Sequence, residues 1–327
     1  MKAIVISKPG GPEVLELRDV PAPVPQRGEV AVRVHATAVN RADLYQRLGS
    51  YPAPPDVPAD ILGIEVAGEI AAIGPGSSDW KVGDRVFGLV GGGGYAETVV
   101  AHGRTFARIP DGLDWVQAAA VPEAFITAYD ALVTQAGLAS GETVLISACG
   151  SGVGTAAIQL VRALGATAIG TARGADKLDR ARPLGLAHAV VPQGGAFAQA
   201  VLSATGGRGV DVVLELVGGP YFVEDLACAA PRARIVLVGS TAGARVDADL
   251  GAIMRKRLHV IGTMLRNRPL EEKIAATLIF ARHVVPLFVQ GAVRPVVDKV
   301  FPLARAGEAH AYVAGNASFG KVVLEIG

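Results

Sequence analysis

Val30, Val32 and Val34 alternate with Ala31, Arg33 and His35, the two-residue period of a half-buried strand. Residues 64–73 and 85–90 are further strand candidates, set off by a proline-rich stretch at 52–58 and a glycine-rich one at 91–94. Short strands and loops of this kind predict an antiparallel, barrel-like domain. From about Ala118 the rhythm changes. Apolar strands at 144–147, 167–170, 190–191, 210–216, 234–238 and 258–264 are separated by helix-like segments, which predicts a doubly wound parallel sheet of six strands. The alternation ends near Arg266, and a helix at 270–285 and a strand at 321–326 follow. That tail is too short for a domain of its own. It reads as a return to the first domain, giving one domain from 1–118 with 266–327 and an inserted one at 119–265.

Composition agrees with an enzyme-sized core. Of 327 residues half are apolar and only 19% are charged, so disorder is not expected. The balance of 31 basic against 30 acidic residues gives no electrostatic case for nucleic acid or an anionic membrane. The densest basic run, Met254-Arg255-Lys256-Arg257, reads as a solvated helix end. Two cysteines, Cys149 and Cys228, build neither a disulfide framework nor a cysteine-rich zinc site. The uncharged run at 143–161 is interrupted by clustered glycines and begins β-branched, so it reads as strand, turn and helix start rather than a membrane span. No secretory apolar region follows Met1, and the expected location is cytoplasmic.

Within that run, Val144-Leu145-Ile146-Ser147-Ala148-Cys149-Gly150-Ser151-Gly152-Val153-Gly154 ends a strand and leads to a helix beginning near Thr155. A dinucleotide loop needs small residues there, so that backbone N–H groups approach the pyrophosphate at a helix N-terminus. The G-x-G-x-x-G spacing is not literal, but small side chains hold every critical point. About 20 residues on, where a carboxylate would select NAD, stands Thr171-Ala172-Arg173-Gly174. Arg173 suits a 2′-phosphate, and Lys177 offers a second cation, so NADPH is the expected cofactor. The six histidines are scattered with no pair at ligand spacing and no neighbouring cysteine, and no metal is expected.

Longer matches now carry a family resemblance. Lys8-Pro9-Gly10-Gly11-Pro12-Glu13, Asn40-Arg41-Ala42-Asp43-Leu44, Ala118-Ala119-Ala120-Val121-Pro122-Glu123-Ala124 and Ser151-Gly152-Val153-Gly154-Thr155-Ala156-Ala157-Ile158-Gln159-Leu160 resemble the zinc-free quinone oxidoreductases of the medium-chain dehydrogenase/reductase superfamily. They are most similar to the tumour-suppressor-inducible branch of that group, which also includes zeta-crystallin. The resemblance implies an α/β chain, with a six-stranded Rossmann sheet inserted into a mostly-β, GroES-like barrel domain. Zinc-dependent relatives carry a metal ligand in a Gly-His-Glu run, and the similar stretch here is Gly63-Ile64-Glu65.

The resemblance further implies hydride transfer from NADPH to a quinone in a cleft between domains. Reduction of α,β-unsaturated ketones or aldehydes is the alternative, and a non-enzymatic, NADPH- or RNA-binding role a more distant one. Asn40 is similar to a polar residue beside the nicotinamide ribose, and Tyr45 and Tyr51 to tyrosines facing the substrate, as hydrogen-bond donors or through a water. Thr127 is similar to a cofactor-contacting threonine. Ser151, Gly152 and Val153 would hold the pyrophosphate, with Val217, Gly218, Gly239 and Ser240 lining ribose and nicotinamide. Met264, Leu265 and Ser318 would close the pocket. Pro192 stands where relatives often carry a tyrosine, and Pro183 should end its helix early. Relatives are commonly homodimers through the sixth strand of the nucleotide-binding sheet, and 258–264 is apolar enough for that edge.

Overall fold

The computed structural model describes residues 1–76 and 79–327. They form two compact units, 1–126 with 265–327, and 127–264; the chain passes between them inside the helix Pro122–Tyr129.

The first unit is built on β3 (Glu29–Val39), whose inward valines Val30, Val32 and Val34 are buried while Arg33 points to solvent. One edge of β3 pairs antiparallel with β4 (Glu65–Ile73), which in turn pairs with β5 (Arg85–Leu89). The other edge is shared: β6 (Thr98–His102) takes its first half, and the returning C-terminal strand β15 (Lys321–Glu325) takes its second. β7 (Phe106–Arg108) extends the sheet beyond β5, and β14 (Val297–Pro302) extends it beyond β15. A separate ribbon joins β1 (Lys2–Ile6) and β2 (Leu15–Asp19). Ile4, the β3 valines, Val66, Val86, Tyr95 and Leu324 meet in its core. The last strand is therefore an interior member of the first sheet, which makes the second unit an insertion.

The second unit is a six-stranded, wholly parallel sheet in the order β10-β9-β8-β11-β12-β13. Its strands are β8 (Thr143–Ile146), β9 (Thr167–Thr171), β10 (Leu186–Val190), β11 (Val210–Glu215), β12 (Ala229–Leu237) and β13 (His259–Gly262). Strand order reverses between β8 and β11, where an open parallel sheet leaves a crevice at its carboxyl ends.

Three local expectations change. The third strand runs over Leu186–Val190 rather than 190–191; its Ala187, His188 and Ala189 carry too little apolar signal to mark it, and a register shift follows Leu186. The fifth begins at Ala229, ahead of the expected 234; exposed Pro231 and Arg232, the latter at a left-handed φ of 68°, interrupt its apolar pattern. The tail helix stops at His283, and a second short helix, Val285–Val289, starts with Pro286 in its first turn. Pro183 does interrupt its helix: Ala175–Ala181 gives way to a 3₁₀ turn at Arg182–Leu184. In the basic run, Arg255 pairs with Asp249, while Lys256 Nζ donates to the carbonyls of Leu226, Ala227 and Ala229.

Candidate active site

In the first unit a polar cluster sits at the start of β4. Glu65, Lys321 and Asn40 are at most 6% exposed. Lys321 Nζ lies 2.6 Å from Glu65 Oε1 and also donates to Asn40 Oδ1. Asn40 Nδ2 donates to Glu65 Oε1 at 2.8 Å and to the Ala38 carbonyl at 3.2 Å. Glu65 Oε2 accepts the Glu123 N–H at 2.8 Å. A buried charge pair survives only with further hydrogen bonds to its groups; both Glu65 oxygens accept one here, and Lys321 has Asn40 as a second acceptor.

Asn40 also precedes the helix Arg41–Arg47, and its backbone N–H is held at 2.8 Å by Asp43, three residues on. Asp43 accepts from the Gly63 N–H as well, and from the Tyr95 hydroxyl, each at 3.2 Å. Behind Tyr95, His310 Nε2 lies 3.1 Å from the hydroxyl, and His310 Nδ1 lies 3.3 Å from Arg47 Nη1. An arginine only donates, so Nδ1 accepts, the proton of the neutral ring sits on Nε2, and the chain runs Arg47 to His310 to Tyr95 to Asp43. Burial lowers His310 to about 3 and raises Asp43 to about 6. Tyr45 is half-buried on the same helix. Half-buried Tyr51 follows it, with its ring centroid 5.2 Å from the Arg266 guanidinium carbon.

In the second unit, the turn after β8 is Ala148 to Ser151. Ala148 takes a left-handed φ of 45°, and Cys149 is buried with its N–H on the Thr171 carbonyl at 2.9 Å. Burial pushes the Cys149 thiol up to about 12, so it packs rather than reacts. The helix Gly152–Ala163 starts three residues before the expected Thr155, since Ser151 caps it by accepting the Gly154 N–H at 3.1 Å. A Cβ on Gly154 would stand 2.7 Å from the Ala148 carbonyl oxygen and from the Cys149 backbone, so only glycine lets the turn close. Ser151, Gly152 and Val153 remain partly exposed at the helix N-terminus, as an anion-binding turn requires. Arg173 is exposed just past β9, and Lys177 is half-buried in the next helix.

After β11, Glu215 Oε1 accepts the N–H groups of both Val217 and Gly218. Burial holds this carboxyl and that of Asp225 above the usual range, Asp225 further through the charge of Glu215. Gly218 takes φ 70° and approaches Ser240 so closely that a Cβ would lie 2.8 Å from its Cα. Ala242 N–H bonds the Val217 carbonyl at 2.7 Å, tying the loops after β11 and β12 together. The sheet thus gathers Ser151 to Val153, Arg173, Val217, Gly218, Gly239 and Ser240 at the carboxyl ends of β8, β9, β11 and β12. The reversal point lies between β8 and β11; the small-residue turn and partly exposed helix N-terminus there, with exposed Arg173 past β9, fit a dinucleotide phosphate.

Residues 26–111 match the alcohol dehydrogenase GroES-like domain, and 152–281 match the zinc-binding dehydrogenase family. A quinone oxidoreductase of Pseudomonas aeruginosa is 36% identical over 328 residues, covering 99% of both chains. The human quinone oxidoreductase is 33% identical, covering 99% of this chain and 97% of its own. The chain belongs to the quinone oxidoreductases of the medium-chain dehydrogenase/reductase superfamily. The Escherichia coli quinone oxidoreductase complexed with NADPH superposes with a TM-score of 0.89 at 29% identity, over 99% of this chain and 100% of that one.

One matching family is named for zinc, and the residues here do not fit that metal. Ile64 stands where the resemblance puts a ligand, and the Glu65 carboxylate is committed to Lys321, Asn40 and the Glu123 N–H. Among the described residues no group of three or more His, Cys, Asp or Glu is gathered to hold a metal.

The expected site residues fall into both units. Asn40, Tyr45, Tyr51, Leu265 and Ser318 belong to the first; Thr127, Met264 and the turn residues belong to the second. Thr127 is buried, Met264 is exposed, and Leu265 and Ser318 are half-buried. Asn40 has both side-chain N–H groups committed within its own unit, to the Ala38 carbonyl and to Glu65. Lys321, Glu65, Asp43 and Glu215 were not singled out as site residues. Lys321 bonds a residue 281 positions away, and no local pattern signals that.

Two outcomes follow. Lys321→Met leaves Glu65 charged and buried, and should cost about 3–5 kcal/mol in urea unfolding; a loss below about 1 kcal/mol would contradict the cluster's role. His310 is neutral in the folded chain down to about 3, against an ordinary 6.5. Below pH 6.5 only the unfolded chain takes up its proton, so stability falls by about 1.4 kcal/mol per pH unit on acidification. Asp43, raised to about 6 from 3.8, has the opposite slope between those values. His310→Gln should therefore gain on wild type by about 1.4 kcal/mol per unit from pH 6 to 5, and parallel stability profiles would contradict this assignment.

Proposed function

We propose that this chain is an NADPH-dependent quinone oxidoreductase that works without a metal. The observation that carries this reading is the Ser151–Gly154 turn at the reversal of strand order, with Arg173 rather than a carboxylate at the end of the neighbouring strand. Its place among the quinone oxidoreductases and the NADPH complex of its Escherichia coli neighbour support it.

The turn's N–H groups would take the pyrophosphate, and Arg173 with Lys177 the 2′-phosphate, while Val217, Gly218, Gly239 and Ser240 would line the ribose and nicotinamide. Thr127, Met264, Leu265 and Ser318 are further proposed contacts. When bound, NADPH supplies a hydride. The protein's part is to hold a flat, conjugated acceptor and to place a hydrogen-bond donor on the oxygen that becomes negative. Tyr45 and Tyr51 are half-buried phenols suited to that contact. Hydroquinone anions protonate from water, so no strong general acid is required.

Two finer properties belong to the same reading. β13 is the outer strand of its sheet, with Val260 40% exposed, and a second copy pairing there would give a homodimer. A cytoplasmic location agrees with two free, buried cysteines. Among the described residues no helix is long and apolar enough to cross a membrane.

Initial rates of NADPH and NADH oxidation by an ortho-quinone, with and without a chelator, test the function. We expect NADPH to be preferred, the chelator to have no effect, and Arg173→Ala to lower the NADPH preference about tenfold, as loss of a charge-assisted bond would. A wild-type preference for NADH would remove the role of Arg173, and no quinone turnover would remove the function. An alkenal assayed beside the quinone ranks the two acceptor classes. Light scattering should give about twice the 33.5 kDa chain mass, and a monomer at micromolar concentration would reject the pairing.

A further inference from the structure

We propose that Arg266 is a further donor, beside the proposed tyrosines, to the negative oxygen of the acceptor, reached when the Tyr51 ring moves off its guanidinium. The proposal rests on the quinone-reductase reading and names a residue that reading leaves out.

Arg266 is the second residue of the segment returning to the first unit and is only 8% exposed. Two of its three nitrogens are fixed. Nε donates to the Gly91 carbonyl at 2.8 Å, and Nη2 to Gln46 Oε1 at 2.6 Å. Nη1 is buried with no acceptor; among the described residues the Asp43 carboxylate attracts this guanidinium, but from outside ion-pair contact. Both anchors are neutral oxygens. The closest aromatic cover is Tyr51, whose ring faces the guanidinium at 5.2 Å. Its flanks are Gly49, with φ 79°, and the stretch Pro52 to Pro55, outside regular structure.

A buried cation normally has an anion in contact, and an unpaired buried donor costs roughly 1–3 kcal/mol or more. Such an exception in a folded chain calls for a function. What Nη1 lacks is an acceptor, and an oxygen gaining negative charge is the strongest one it can meet. Arg266 thus lies against Tyr51, one of the two tyrosines already proposed to face the acceptor, and is anchored on the helix that carries the other.

The chemistry matches. Transfer of a hydride, two electrons with one proton, converts NADPH to NADP⁺ and a quinone to its hydroquinone monoanion. One oxygen has gained the hydrogen and the other holds the negative charge. Nη1–H would bond the charged oxygen as it forms, more strongly than the neutral carbonyl before it, which is the condition for acceleration. The anion then takes a proton from water and leaves. The acceptor class is thus a planar carbonyl compound whose reduced form is a phenolate or enolate.

The test uses the full-length protein with Arg266→Met and Arg266→Lys. Circular dichroism and NADPH titration establish folding and cofactor binding, and 4-nitrophenolate, a redox-inert phenolate, probes the oxyanion position in the presence of NADP⁺. Arg266→Met should lower quinone kcat/KM about 100-fold or more and weaken 4-nitrophenolate about tenfold or more, with NADPH affinity within about twofold. Arg266→Lys, which keeps charge but not the three-point geometry, should fall between. A folded Arg266→Met variant with unchanged kcat/KM and unchanged 4-nitrophenolate binding would overturn the proposal. So would loss of the fold in both variants, which would assign Arg266 to structure alone. Wild type that binds NADPH but reduces no quinone would overturn the reading beneath it, and this proposal with it.

Discussion

A lysine ammonium buried against a glutamate and an asparagine organises the first unit. Lys321 opens the last strand of the chain, Glu65 opens β4, and Asn40 joins the end of β3 to the next helix as its cap. Three elements from distant parts of the sequence converge on one charge. Because neither ion can be left alone at this depth, the returning strand has one favourable register against β3. The helix that begins at Asn40 carries Asp43, Tyr45 and Gln46, so the electrostatic constraint is handed on to the side chains facing the proposed acceptor.

The second unit solves its problem with backbone. Gly154 lets the turn after β8 fold back on Cys149, Ser151 caps the helix, and Glu215 gathers two N–H groups of the loop after β11. These contacts shape the carboxyl ends of the strands without placing a charged side chain in the turn itself. The positive charge comes from Arg173 and Lys177 beside it, which suits a ligand with phosphates at more than one place.

Much of this was legible in the sequence, for identifiable reasons. Valine alternation in β3 and the strand–helix rhythm from β8 onward report burial directly, and the clustered glycines at 150–154 report a tight turn. What stayed hidden depends on neighbours distant along the chain. β10 is marked only by Leu186 and Val190, with weakly apolar residues between them, so its pairing with β9 defines it. The first turn of the helix after β8 is glycine-rich and reads as loop until its cap is seen. Lys321, Asp43 and Arg266 look like ordinary surface charges in a chain with 61 of them, and only the fold shows that they are buried.

The claim on which this account most depends is that Lys321 is a sequestered, hydrogen-bonded ammonium. Nitrogen-detected NMR of lysine side chains tests it without reference to turnover. A slowly exchanging Nζ resonance for Lys321 at neutral pH, absent in Lys321→Met and shifted in Glu65→Gln, is the expected result. A Lys321 ammonium exchanging with solvent as fast as the surface lysines would contradict the account.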